Sequence, residues 1–84
     1  MVKVKICGIR NWADARLAIG AGADMLGFNF VPSSPRYVAP ARAHRIVRRL
    51  PKRVRAIGVF VNQAPAEVLR IAGAVGLRGV QLHG

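Results

Sequence analysis

Apolar and polar positions alternate from the start of the chain. In "VKVKIC" (2–7), Val2, Val4 and Ile6 fall on one side and Lys3, Lys5 and Cys7 on the other, a period of two that predicts a strand. Asn11 offers an N-cap, and "WADARLAIGAGA" carries Trp12, Ala15, Leu17 and Ala18 at helical spacing, with Gly20 and Gly22 suited to the helix end. "DMLGFNFV" (24–31) is a mostly apolar, Phe-containing run, as expected of a strand buried on both faces. "PSSPRYVAP" is rich in turn formers and predicts a loop. Pro40 suits a first helical turn, the helix continues over 41–50, and Pro51 stops it. The cycle then repeats. "RAIGVFV" (55–61) predicts a third strand, Pro65 opens a helix that runs to Gly76, and "RGVQLHG" predicts a fourth strand over 78–83.

An order of βαβαβαβ with short connections predicts an α/β fold with a parallel sheet and right-handed crossovers. Two architectures fit it. A doubly wound sheet would be marked by a glycine fingerprint after the first strand, but "CGIRN" is no G-x-G-x-x-G and no Walker A lysine motif is present. A (β/α)8 barrel gathers its functional residues at the C-terminal strand ends. Those ends here hold Cys7, then Asn29 and the loop to Arg36, then Asn62, then His83, whereas the opposite ends hold Lys3, Asp24, Arg55 and Arg78. That asymmetry favours part of a (β/α)8 barrel, with residues 1–84 as one incomplete barrel domain.

Composition adds boundaries. A content of 52% hydrophobic residues suits a packed core, and 84 residues suffice for one small domain. The single cysteine excludes an internal disulfide and fits a reducing compartment. "MVKVKIC" is too short and too interrupted by lysine for a signal peptide, and no apolar stretch is long enough to span a membrane, so a cytoplasmic protein is expected. Charge is lopsided, with 14 Lys+Arg against three acids and a net charge of +11. Much of the excess lies in "ARAHRIVRRLPKRVRA", where Arg42, Arg45, Arg48 and Arg49 follow helical spacing. A polyanion-binding face is one reading, since phosphate neutralisation dominates nucleic-acid affinity. With no nucleic-acid motif and no interleaved aromatic residue, a solvated helix surface that also carries His44 is preferred. One Cys and two distant His make no metal-ligand set.

Three residues carry candidate chemistry. Cys7 shares a strand face with Lys5 and Lys3, and two residues along a strand is about 6–7 Å, close enough for a lysine charge to favour the thiolate. The dipole of the following helix acts in the same direction. A thiolate at a barrel mouth is a nucleophile or a general base. The competing reading is a small inert core residue, and position alone does not separate the two. Arg36 could grip a carboxylate or phosphate through two parallel hydrogen bonds, or be an ordinary exposed loop arginine. His83 shares a face with Gln81 and reads equally as a structural residue or a substrate contact.

"KICGIR", "GADMLGFNFVPSSPRYV", "IGVFVN" and "VQLHG" occur in order over 3–84 and closely resemble the N-terminal half of the phosphoribosylanthranilate isomerase family, (β/α)8 enzymes of tryptophan biosynthesis. Related sugar isomerases acting on similar phosphoribosyl substrates carry an aspartate at the position of Cys7. The resemblance implies an aldose–ketose isomerisation without cofactor. In this Amadori rearrangement, N-(5′-phosphoribosyl)anthranilate becomes 1-(o-carboxyphenylamino)-1-deoxyribulose 5-phosphate. It implies that Cys7 is the general base, that Arg36 holds the anthranilate carboxylate and that His83 lines the substrate pocket.

The family's general acid, an aspartate on a later strand, and its phosphate loops have no counterpart here, and Asp14 and Asp24 are wrongly placed to substitute. A complete barrel typically needs about 250 residues. A four-strand segment with unpaired first and fourth strands and an exposed apolar interior is therefore expected to need a partner: a second half-barrel, a copy of itself, or further residues. Negligible turnover is expected from these 84 residues alone. The alternatives from other classes are a non-catalytic basic module for an anionic partner such as nucleic acid, and a self-assembling half-barrel.

Overall fold

Seven elements follow one another in the computed structural model, which describes residues 3–83. They are β1 (Lys5–Ile6), α1 (Trp12–Gly20), β2 (Met25–Asn29), α2 (Pro40–Val47), β3 (Arg55–Val61), α3 (Pro65–Val75) and β4 (Gly79–His83). All strand pairs are parallel and each strand pairs with the next, giving the order β1-β2-β3-β4. Register runs from Lys5 opposite Met25 to Val61 opposite His83.

The strand alternation decides which face is dry. Leu26, Phe28, Phe30, Ala56 and Phe60 are buried together with Ala15, Ala18, Ala43, Ile46, Val68 and Ile71 of the helices. Phe30 and Phe60 stack with ring centroids 5.4 Å apart, and such rings dominate the energetics of a core this size. The opposite face, with Met25, Ile57 and Val59, is only half-buried. Covering on a single face excludes the doubly wound alternative, which needs helices on both.

The sheet is strongly curled. Lys5 on β1 donates a hydrogen bond from Nζ to Gln81 Oε1 on β4, although β2 and β3 lie between them. Three strand steps along a flat sheet would be about 14 Å. The side chains meet because they point inward across the arc of a barrel segment.

Several boundaries differ from the expected ones, for local reasons. β1 is two residues rather than six. Asp24 holds the chain before it, with Oδ2 accepting from Val4 N at 2.9 Å, and Val2 lies outside the described residues. β2 stops at Asn29, whose Oδ1 accepts from Val31 N at 2.8 Å and turns the chain into the loop. β4 begins at Gly79, one residue later than expected. α2 ends at Val47, after which Arg49 N bonds Ile46 O and Leu50 N bonds Val47 O in a tightened last turn before Pro51. β3, α3 and the Asn11 cap, whose Oδ1 accepts from Asp14 N at 2.8 Å, are as expected.

Arg42, Arg45, Arg48 and Arg49 are exposed, as is His44. Arg49 is not simply solvated, however, because its guanidinium lies 4.1 Å from the centre of the half-buried Trp12 ring. Exposed apolar side chains concentrate at the two sheet edges more than on the inner face. Leu82 and Val80 of β4 are 67% and 45% exposed, and Leu17 of α1, beside β1, is 74% exposed. No helix among the described residues is long and apolar enough to cross a membrane.

Candidate active site

At the C-terminal ends of the strands lies a cleft of about 300 Å³. Cys7, Arg36 and His83 all line it, from β1's end, the loop after β2 and the end of β4. Lys5, Asn29 and Gln81 complete its polar lining. Of the other polar strand-end residues, Asn62 does not line it; it adopts a left-handed φ of 55° and donates its N–H to His83 O at 3.3 Å. Lys3, expected on the face of Cys7, is not part of the cleft either.

Cys7 is exposed at the mouth of the cleft. Two glycines place it. Gly8 has a φ of 82°, a left-handed conformation that turns the chain out of β1 immediately after the thiol. Ile9 then rejoins the sheet edge through its N–H to Gly27 O at 3.1 Å. Gly27 is buried beneath Cys7, and a Cβ there would sit 2.9 Å from Cys7 Sγ and 3.1 Å from Cys7 Cα. A glycine inside a strand at a point of close approach is the signal that could have revealed this packing.

Arg36 reaches the same place across the loop. Its backbone N–H donates to Ser34 Oγ at 3.1 Å, and Tyr37 pairs with Asn29, which fixes the loop on the sheet. A Cβ on Gly8 would lie 3.2 Å from Arg36 Cδ. The missing side chain of Gly8 therefore lets the arginine arm lie against the turn beside Cys7. Among the described residues the one ion pair is Glu67 with Arg70, exposed on α3, where the Arg70 hydrogen bond holds the Glu67 carboxyl below its usual range. Arg36 is thus not neutralised by a carboxylate among those residues and remains available to an anion.

Among the described residues no carboxylate lines this cleft. Asp24 caps the opposite end of β1. Asp14 instead borders a separate recess of about 420 Å³ along the free edge of β1, shared with Cys7, Ile6 and Leu17. Among the described residues no three His, Cys, Asp or Glu stand close enough together to hold a metal ion. The arrangement offers a thiol, a guanidinium and an imidazole around one opening, which suits proton transfer on an anionic substrate.

Residues 4–84 match the family model described as N-(5′phosphoribosyl)anthranilate (PRA) isomerase. The curated N-(5′-phosphoribosyl)anthranilate isomerase of Pelobacter propionicus is 55% identical over all 84 residues, which are 40% of that relative. The isomerase of Thermotoga maritima is 51% identical over the whole chain and 41% of its own length. A crystal structure of the Thermotoga maritima protein superposes with a TM-score of 0.97, covering all of this chain and 41% of that one. An isomerase solved in complex with reduced 1-(o-carboxyphenylamino)-1-deoxyribulose 5-phosphate also superposes with a TM-score of 0.97 at 51% identity, the match covering 43% of it. The chain spans about two-fifths of the length of these relatives.

Proposed function

The chain belongs to the N-(5′-phosphoribosyl)anthranilate isomerase family, and on that premise we propose that it supplies the base and the carboxylate clamp of the family's Amadori rearrangement. The observation that carries the reading is the single cleft into which Cys7, Arg36 and His83 converge from three separate segments. Arg36 pairs with the anthranilate carboxylate through its planar fork. A general acid from outside these 84 residues protonates the furanose ring oxygen, and the C1′–O bond breaks to give the Schiff base. The Cys7 thiolate takes the proton from C2′, and the electron pair moves to neutralise the iminium nitrogen. The resulting enol then becomes the ketone of the ribulose product. His83 lines the pocket wall.

The acid and the phosphate grip come from the remainder of a barrel, so the chain acts beside a second half. The two open sheet edges, with Leu82, Val80 and Leu17 exposed, are the surfaces that half would cover. A thiol used as a base works in its reduced form, which suits a reducing compartment such as the cytoplasm.

The test is a chimaera in which this chain replaces the matching N-terminal part of the Thermotoga maritima relative. The chimaera is expected to convert N-(5′-phosphoribosyl)anthranilate, whereas the 84-residue chain alone shows no turnover above background. A folded chimaera without turnover would sink the reading.

The same chimaera tests the seat of Cys7. Gly27→Val forces a branched side chain against Cys7 Sγ and Cα. It is expected to destabilise the protein by about 1–3 kcal/mol, as overpacking typically does, measured by urea unfolding. An unchanged midpoint would mean that β1 is free to shift.

A further inference from the structure

Beneath the pair of residues at the mouth lies a second pair with the same geometry. Cys7 and Lys5 are two apart on the inner face of β1, and His83 and Gln81 are two apart on the inner face of β4. Lys5 Nζ donates to Gln81 Oε1 across the cleft. It is a direct side-chain hydrogen bond between the two outer strands, joining residues 76 apart in sequence. Because side chains alternate, the next inward-facing positions toward the C-terminal ends are Cys7 and His83.

We propose that Lys5 and Gln81 form a positioning tie that sets the separation of β1 and β4 at the mouth, and so the placement of Cys7 and His83 about the substrate. The inference rests on the isomerase reading of the site. Three features support a role in positioning. Lys5 and Gln81 reach across the cleft from the first and last strands and both line it, so their contact bears directly on its width. β1 is held by backbone bonds on its β2 side, from Val4 to Ile9, so Lys5 to Gln81 is a link toward β4 that those bonds do not supply. Among the described residues no acid faces Lys5 from within the cleft, which leaves Gln81 as the acceptor that holds the ammonium in place. Lys5 and Gln81 act through Cys7 and His83, as positioning rather than catalytic residues.

The test uses the chimaera with Lys5→Met, Gln81→Leu, the double variant, Lys5→Arg and the exchanged pair Lys5→Gln with Gln81→Lys. Loss of a hydrogen bond to a charged group predicts a fall in kcat of roughly 10- to 100-fold for each single loss, with KM changed less than about threefold. The double variant should be no worse than either single one, since both remove the same contact. Lys5→Arg and the exchanged pair should recover most of kcat. Independent additive losses, or a single loss without effect on kcat, would overturn the tie.

A second readout does not need turnover: alkylation of Cys7 by iodoacetamide, followed by mass mapping of its peptide. Gln81→Leu, which keeps the Lys5 side chain and breaks the tie, should change the Cys7 rate several-fold and the exchanged pair should restore it, because the tie sets how the two strands enclose the thiol. Equal rates in all variants would count against the proposal. If the parent chimaera is inactive, the isomerase reading fails, and the alkylation rates still decide the tie.

Discussion

Replacing Cys7 by alanine in the chimaera is expected to lower isomerase kcat by roughly 10²- to 10⁴-fold, the usual worth of a positioned general base, while KM changes little. The reason is geometric. The thiol stands exposed at the mouth, seated on Gly27 and released from the strand by the turn at Gly8. Alanine keeps that backbone and removes only the proton acceptor. Serine is expected to be nearly as poor, because a hydroxyl ionises far less readily than a thiol. Among the described residues His83 is the other cleft group suited to accept a proton at neutral pH, so His83→Asn is the control. If Cys7→Ala stays within threefold of the parent while His83→Asn abolishes turnover, the base is the histidine and the assignment to Cys7 is wrong.

The second large effect belongs to Arg36. Arg36→Met is expected to raise KM by roughly 10- to 100-fold, the worth of a charge-assisted contact to a carboxylate, with a smaller change in kcat. Arg36→Lys should recover only part of it, since an ammonium keeps the charge and loses the fork. A substrate analogue with aniline in place of anthranilate separates clamp from scaffold. Lacking the carboxylate, it should be turned over with the same KM by the parent and by Arg36→Met. An equal loss on both substrates would show that Arg36 supports the loop through its packing on Gly8 rather than binding the carboxylate.

The legibility of this molecule varied with how local the governing physics is. β3 and α3 were read to within a residue, because each is a run of one period bounded by its own stop signals, Pro65 among them. The Asn11 cap was equally plain. The alternating pattern overextends β1, since it continues past the point where a partner strand is present to pair with it. The sequence overextends α2 because Pro51 marks where a helix cannot continue and says little about where its last turn tightens. The arginine face was read as outward, correctly, but the seat of Arg49 on Trp12 depends on how α1 and α2 pack and has no local signature.

The same division runs through the site. The pattern along the chain determined the order of elements, the parallel sheet, and the placing of Cys7, Arg36 and His83 at one end of it, because strand polarity in a βα repeat puts every C-terminal strand end on the same side. Whether those three residues face one another was decided by curvature and close approach. Packing three helices on one face of a twisted sheet bends it until Lys5 and Gln81 touch across four strands. The same bend encloses the cleft, and Gly8 and Gly27 open the space that Arg36 and the Cys7 thiol occupy. Curvature and close approach are sums over contacts distant in sequence, which no period of two or 3.6 residues records.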